Sequence, residues 1–156
     1  TNEGVRSLFL DMNSLGDAGI ARLTEVLPLR PELQELYLSA NGITDKGAKE
    51  LAAWIRDSAC HTLALSENKI GDSGAVELAK ACCQSSHVQK IALDANDVGD
   101  KGTKCFAKQL KNNSTLQMLD LSPNPRISES AKEAMNMAWA THEVRGSLAD
   151  PRNLVL

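Results

Sequence analysis

The chain has 156 residues, 24% of them charged, and a net charge of −3. These values predict one domain and exclude the dominant positive field of a nucleic-acid-binding surface. Neither a membrane-spanning apolar run nor a signal peptide is evident, and four cysteines, with Cys82 and Cys83 adjacent, do not suggest a disulfide framework in a chain of this length. We therefore expect a cytoplasmic protein in a reducing environment, without membrane contact.

A repeated phrase runs along the chain with a period of 27 or 28 residues. The first copy is VRSLFLDMN at residues 5–13, and every later copy also closes on an asparagine. These asparagines are Asn13, Asn41, Asn68, Asn96 and Asn124. The period predicts a single domain over 1–156, with repeats near 5–32, 33–59, 60–87, 88–115 and 116–141 and a C-terminal cap over 142–156.

Each repeat combines two hydrophobic periodicities. The last two apolar positions of L-x-x-L-x-L alternate with an outward residue, which is typical of a short strand. After a glycine, the apolar spacing changes to four residues, which indicates an amphipathic helix. An aspartate precedes each of four helices, and we expect it to cap the free N–H groups of its own helix. These aspartates are Asp17, Asp45, Asp72 and Asp100.

No single repeat can bury its own apolar face, but five stacked repeats can. Consecutive strands then lie side by side and parallel, with the helices on the other side. The predicted fold is therefore α/β: a right-handed curved solenoid of five repeats, with parallel strands on the concave face and helices on the convex face. Twenty-one leucines against only five aromatic residues fit a core of small, similar packing units.

This pattern, with Leu33, Leu36, Leu38 and Asn41 as one example, resembles the leucine-rich repeat family in its ribonuclease-inhibitor-like subtype. The resemblance covers residues 5 to about 135. Ribonuclease inhibitors, activators of the Ran GTPase and sensor halves of intracellular immune receptors belong to this subtype. The resemblance implies a non-catalytic module that binds another protein on a rigid arc, although a fold does not fix a function. Regulation of a small GTPase is an alternative.

The two ends of the chain depart from the repeated pattern. The fifth repeat lacks the glycine, its helix is expected near 128–141, and the closing residues Leu154 to Leu156 predict a final edge strand. The chain opens at Thr1 and reaches its first strand without a capping segment. Two interpretations of this start are open. The chain is a fragment of a longer protein, or it is a monomer whose first repeat is covered by another molecule. Self-assembly through the open first strand is a further alternative.

The residues that suggest chemistry have structural explanations. We expect the asparagines to form a structural ladder that bonds unpaired backbone groups in the turns. Cys60 and Cys82 occupy apolar positions of the pattern, and no C-x-x-C spacing suggests zinc. No catalytic motif is present and the histidines have no obvious nucleophile beside them, so we expect no enzyme activity, no cofactor and no metal. Arg126 is the only candidate for a GTPase-activating arginine.

The outward positions of the strands remain as the predicted partner-binding surface. Phe9 and Tyr37 occupy the same position in adjacent repeats, so their rings should lie side by side. Flanking charges give this patch the anatomy of an interaction hot spot, although a segment preceding Thr1 would also cover Phe9. A column of small polar residues beside it either lets a partner approach or suits a tight inner curve. The predicted partner-binding residues are Arg6, Phe9, Asp11, Met12, Glu35, Tyr37, Glu67, Lys90, Asp94 and Asp120.

Overall fold

The computed structural model describes residues 4–144, 147–150 and 153–156. Strands and helices alternate through five repeats, and three short strands follow. The helices are α1 (Gly16–Val26), α2 (Asp45–Arg56), α3 (Asp72–Gln84), α4 (Asp100–Leu110) and α5 (Glu129–Ala140). The strands are β1 (Ser7–Phe9), β2 (Glu35–Tyr37), β3 (Thr62–Ala64), β4 (Lys90–Ala92), β5 (Met118–Asp120), β6 (Glu143–Val144), β7 (Ser147–Leu148) and β8 (Leu154–Val155).

Six of the strands form one open parallel sheet in the order β1-β2-β3-β4-β5-β8. The helices contact one another in chain order, each with the next. This arrangement confirms the predicted α/β solenoid of five repeats. It also confirms the final edge strand, because Leu154 pairs with Leu119 of the fifth repeat. The antiparallel pair β6–β7 lies outside the repeated pattern and was not predicted.

The core lies between the sheet and the helices. At the centre of each strand an aliphatic side chain points inward, and from the second repeat onward it is fully buried, as for Leu36, Leu63 and Leu119. Cys60 and Cys82 are buried among these residues, as their apolar positions predict. Burial raises the pKa of each thiol to about 12, so both remain protonated at neutral pH. Within the described residues, no helix is both long and apolar enough to cross a membrane.

The aspartates at the helix starts correct one prediction. Asp45 is the first residue of α2, yet its Oδ1 accepts hydrogen bonds from the backbone N–H groups of Gly71 and Gly74, each at 2.8 Å. Asp17, Asp72 and Asp100 likewise accept from the start of the following helix. The prediction that each aspartate caps its own helix is therefore wrong. A side chain in the first turn of a helix leans toward the N-terminus, so the carboxylate projects past its own helix and reaches the next repeat.

This contact explains the glycines of α2, α3 and α4, which are Gly47, Gly74 and Gly102. A Cβ at Gly74 would lie 2.8 Å from the Cβ of Ala48 and 2.9 Å from Oδ1 of Asp45. Glycine therefore lets consecutive helices and the capping carboxylate approach closely. The fifth repeat, with Ala131 at this position, differs as its sequence suggests: the carboxylate of Asp100 bonds the N–H and the hydroxyl of Ser128, and the hydroxyl accepts from the N–H of Ala131.

The C-terminal end of the solenoid is closed by α5 and the segment that follows it. Trp139 is 1% exposed, and its indole N–H donates to the carbonyl of Asp150 at 3.0 Å. His142 packs against this indole with ring centroids 5.4 Å apart, and its Nε2 lies 2.8 Å from the carbonyl of Leu116. These contacts join α5 and its following segment to the fifth repeat.

Candidate functional site

The outward side of the sheet carries most of the predicted partner-binding residues in three columns. The strand register aligns Ser7 with Glu35, and it aligns Phe9 with Tyr37. The second column continues through Ala64 and Ala92 to Asp120. A third column lies two residues after the second column in each repeat. It consists of Asp11, Ser39, Ser66, Asp94 and Ser122.

The aromatic pair forms the apolar part of this face. The rings of Phe9 and Tyr37 stack with centroids 4.6 Å apart and planes 12° from parallel, which confirms that they lie side by side. Phe9 is 66% exposed and Met12 is 81% exposed. We refer to Phe9, Tyr37 and Met12 as the aromatic patch.

Carboxylates flank the aromatic patch. Glu35 accepts a hydrogen bond from the hydroxyl of Ser7 at 2.6 Å, and Asp11 accepts one from the backbone N–H of Ser39 at 2.7 Å. Partial burial raises the pKa of the Tyr37 phenol, and the negative charges of Glu35 and Asp11 raise it further. The phenol is therefore protonated at neutral pH and can donate a hydrogen bond.

A second acidic group lies at the other end of the face. Asp94 accepts a hydrogen bond from the hydroxyl of Ser66 at 2.5 Å, and Asp120 accepts one from the backbone N–H of Ser122 at 3.0 Å. Burial raises the pKa of the Asp120 carboxyl, and the charge of Asp94 on the neighbouring strand raises it as well. We refer to Asp94 and Asp120 as the acidic pair.

The predicted residues therefore form two groups and not one cluster. Phe9, Asp11, Glu35 and Tyr37 lie together on the first two repeats, and Met12 is exposed in the turn that follows β1. Of the acidic pair, Asp120 lies three strands away from Tyr37 in the same column, and Asp94 follows β4, two strands away from Tyr37. Lys90 is exposed at the start of β4. Between the two groups lies a floor of small residues, and Glu67 is exposed beside it. Arg6 is exposed just before β1.

The asparagines lie on the inner side of the turns that follow the strands. The Oδ1 of Asn68 accepts from the N–H groups of Asn41 and Ile43, both at 3.0 Å. Its Nδ2 donates to the carbonyls of Leu38 and Leu65, among others. Asn41, Asn96 and Asn124 bond the preceding repeat in the same way and are also buried. Asn13 differs, because it is exposed and its side chain bonds only carbonyls of its own repeat.

The residue before each asparagine has a backbone conformation that the sequence did not reveal. Met12, Ala40, Glu67 and Ala95 all have positive φ, between 51° and 59°. Glycine and asparagine usually mark this left-handed region, and none of these four residues carries that signal. In the fifth repeat, Pro123 takes the position and follows a cis peptide bond. Met12 and Glu67 are exposed at these left-handed turns.

The described residues offer little support for a metal site, a GTPase-activating arginine or a catalytic nucleophile. In those residues, no three histidine, cysteine or acidic side chains converge on a point where a metal ion would bind. The guanidinium of Arg126 donates to the carbonyl of Asp97 at 3.2 Å and lies 3.8 Å from Asp72. His87 does have a neighbouring hydroxyl, since its Nδ1 lies 3.2 Å from Ser86, but both residues are exposed to water. A catalytic nucleophile and its base gain strength in a site that excludes water, and Ser86 and His87 do not lie in such a site.

A groove of about 930 Å³ lies away from the sheet face, between the C-terminal parts of α1 and α2. Thr24, Pro28, Ala53, Trp54 and Asp57 are among its lining residues. The repeat pattern did not predict this groove, because a short 3-10 helix, Leu27–Leu29, contributes Leu27 and Pro28 to its lining and lies in the variable segment between repeats. It is a second concave surface, and it provides a control in binding experiments.

Comparisons with known proteins agree with the fold. The family model described as "Leucine Rich repeat" matches residues 31–52 and 61–79. A solved tropomodulin C-terminal domain from Caenorhabditis elegans is similar, with a TM-score of 0.72, 15% identity, and 88% of this chain and 83% of that chain covered. A solved structure described as leiomodin-1 actin-binding site 2 has a TM-score of 0.73, 17% identity, and 88% and 80% coverage. No curated protein matches the sequence significantly.

Proposed function

Because this chain is a leucine-rich repeat protein, we propose that it is a non-catalytic module that binds another protein on the outward face of its sheet. The module acts in the cytoplasm and needs no cofactor. A 27–28-residue period with a full helix in each repeat is compatible with the ribonuclease-inhibitor-like subtype. Binding on the concave face of a solenoid agrees with the extended surface that stacked repeats present.

The exposed aromatic patch is the observation that carries this proposal. Tyrosine is enriched in the small set of interface residues that dominate binding energy, and apolar centres with a polar rim are typical of such sites. Phe9 and Tyr37 provide the apolar centre, and Asp11 and Glu35 provide a charged rim. Stacking already fixes the two rings against each other, so little side-chain entropy is lost when a partner covers them.

The scaffold supports the same function because it holds the face rigid. Each strand is paired on both sides except at the ends of the sheet, and buried asparagines and capping aspartates join every repeat to the next. Side chains from several repeats are therefore held at fixed spacing before a partner arrives. Such preorganisation reduces the ordering cost of association.

The experiment is affinity capture with the double variant Phe9→Ala/Tyr37→Ala. We expect the variant to lose its main partner, with binding at least about tenfold weaker. Purified filamentous actin is the first partner to test, because one similar structure is described as an actin-binding site. Cell extract with identification by mass spectrometry follows. Circular dichroism and thermal unfolding of the variant should match the parent protein.

Ala53→Arg is the matched control, because Ala53 is exposed and lines the groove between α1 and α2. It should leave capture unchanged. If the aromatic double variant still captures the partner while Ala53→Arg, or a change of helix residues such as Lys49 or Lys104, abolishes capture, the sheet face is not the binding surface.

A further inference from the structure

We propose that the face selects an extended, basic peptide segment whose apolar side chain contacts the aromatic patch and whose arginine or lysine, four residues away, contacts the acidic pair. This inference rests on the proposed function and specifies the chemistry of the partner. Two independent features of the face lead to it: the distribution of charge across the sheet, and the distance between the two groups.

The charge on the face is segregated along the strand direction. At the starts of the strands, Arg6, Glu35 and Lys90 mix positive and negative charge. In the second and third columns, and at the next position along the chain, every charged residue is acidic, namely Asp11, Glu67, Asp94 and Asp120. Lys69 and Arg126 are exposed farther along, beyond the asparagines of their turns. This half of the face is complementary to a basic ligand and repels an acidic one, and such complementarity selects partners.

The distance between the two groups defines the ligand further. Tyr37 and Asp120 stand in the same column three strands apart, with Ala64 and Ala92 between them. Neighbouring strands are about 4.8 Å apart, so the separation is about 14 Å. An extended chain advances about 3.3 Å per residue, and its side chains alternate between two faces. Residues i and i+4 of an extended segment therefore point to the same side and span this distance.

The alanine floor permits a segment to cross the sheet in this way. Ala64 and Ala92 are half-buried and carry the smallest side chains of the column, so a backbone lying over them approaches the sheet closely. A helix covers only about 6 Å in four residues, so a helical ligand would need about ten residues between its two anchors. The small side chains of Ala64 and Ala92 and the spacing of only four residues between the anchors both favour an extended ligand over a helical one.

The acidic pair has free capacity for a cation. Each carboxylate can accept about four hydrogen bonds, whereas Asp94 is bonded by Ser66 and Asp120 by the backbone of Ser122. Two neighbouring negative charges repel each other, and a cation placed between them relieves that repulsion. A guanidinium group is suited to this position because its planar N–H groups bond carboxylates in pairs.

The test uses a synthetic nine-residue peptide of serine and threonine, acetylated and amidated, with tyrosine at the third position and arginine at the seventh. Binding is followed by amide chemical shifts of the isotopically labelled protein. We expect saturable shifts at Ala64 and Ala92. Replacing the arginine by glutamate, or moving it two positions nearer to the tyrosine, should weaken binding about tenfold. Binding should also weaken as salt concentration rises.

Protein variants separate the two anchors. Asp94→Asn/Asp120→Asn should remove the preference for arginine over glutamate, Phe9→Ala/Tyr37→Ala should remove the contribution of the tyrosine, and Lys104→Ala on α4 should change neither. Absence of shifts at millimolar peptide, equal binding of the glutamate peptide, or shifts confined to the helices would overturn the inference. Self-association detected by light scattering, with concentration-dependent amide shifts at Ala64 and Ala92 in the absence of peptide, would overturn it as well.

The two proposals fail in different ways. If Asp94→Asn/Asp120→Asn leaves capture of the protein partner intact while Phe9→Ala/Tyr37→Ala abolishes it, the face binds a protein but does not select a basic segment. If the aromatic double variant also captures normally, the proposed function itself fails.

Discussion

At the scale of single residues, the buried asparagines are the polar groups on which the turns depend. Asn68 is 8% exposed and its side chain makes five hydrogen bonds to backbone groups of its own and the preceding repeat. Replacing it by alanine leaves those buried groups unpaired. We expect Asn68→Ala to lower the free energy of unfolding by about 3 kcal/mol, within the range for unpaired buried groups.

Asn13→Ala is the matched control, because Asn13 occupies the same position but is exposed. It should change the free energy of unfolding by less than about 0.5 kcal/mol. Urea unfolding followed by circular dichroism measures both variants. Equal effects of the two substitutions would contradict the role of the ladder in stability.

Asp17 gives a pH-dependent prediction at the same scale. Burial of its carboxylate acts to raise the pKa, but hydrogen bonds from the Thr44 hydroxyl and from the N–H groups of Thr44 and Gly47 outweigh burial, so the pKa lies below its ordinary value. A carboxyl with a lowered folded-state pKa stabilises the fold above its unfolded pKa of about 4, and this stability is lost as pH falls through the folded-state pKa.

Asp17→Asn should therefore cost about 1 kcal/mol at pH 7, as the loss of a helix cap does. Its effect should begin to shrink as pH falls below about 4, where the unfolded chain takes up a proton, and should vanish below the folded-state pKa, where the parent carboxyl is neutral too. Thermal unfolding of both proteins between pH 7 and pH 2.5 measures the difference. A constant difference across that range would mean that the charge of Asp17 has no part in stability.

At the scale of elements, the packing of α2, α3 and α4 depends on the glycine near the start of each of these helices. Alanine normally stabilises a helix relative to glycine by about 1 kcal/mol, but a Cβ at Gly74 would lie within 3 Å of Ala48, Asp45 and Ile70. We expect Gly74→Ala to reverse the usual sign and to destabilise the protein by about 2 kcal/mol, as overpacking does. Chemical unfolding measures the change.

The neighbouring substitution Ser73→Ala provides the control, since Ser73 is exposed on the same helix. It should be neutral or slightly stabilising, within about 0.5 kcal/mol. A stabilising Gly74→Ala would indicate that α2 and α3 separate easily, which would contradict the close contact between these helices.

At the scale of the whole molecule, the C-terminal segment protects the end of the sheet. Trp139 is buried and bonds Asp150, and β8 covers β5 through a hydrogen bond from the N–H of Leu121 to the carbonyl of Val155 at 2.8 Å. Trp139→Ala should cost about 4 kcal/mol, as other large-to-small core substitutions do. It should also raise hydrogen exchange at the Leu121 amide before exchange at Leu65.

Met137→Ala serves as the control on the same helix, because Met137 is 73% exposed. It should leave exchange at both amides unchanged. Uniform acceleration at Leu65 and Leu121 in the tryptophan variant would mean that the solenoid opens as one unit and that the C-terminal segment has no separate protective role.

The sequence predicts this fold well because the same hydrophobic spacing occurs in five successive repeats of the chain. Strand positions such as Leu63 and helix positions such as Leu78 follow directly from hydrophobic spacing, and the stacked rings of Phe9 and Tyr37 follow from strand register. The hydrogen bond from Gly74 to Asp45 does not follow, because it depends on how far one helix stands from the next. Contacts between repeats are set by three-dimensional packing.

The candidate site was predicted in part for the same reason. Register placed the outward residues correctly, but the left-handed turn that exposes Met12 carries no glycine signal. The antiparallel pair of β6 and β7 and the groove beside Trp54 lie outside the repeated pattern, so periodicity gave no information about them. Whether any of these outward residues contacts a partner stays a prediction.

Because a carboxylate of each repeat caps the helix of the next, the solenoid could accept an additional repeat without losing a cap. The third repeat receives a cap from Asp45 and supplies one through Asp72, so a duplicate of residues 60–87 inserted after residue 87 would find both contacts in place. The sheet would gain one strand, and the aromatic patch would stand about 5 Å farther from the acidic pair. The number of repeats would then set the spacing of the anchors in the ligand. The face would no longer fit a segment whose anchors are four residues apart, and it would fit one whose anchors are six residues apart.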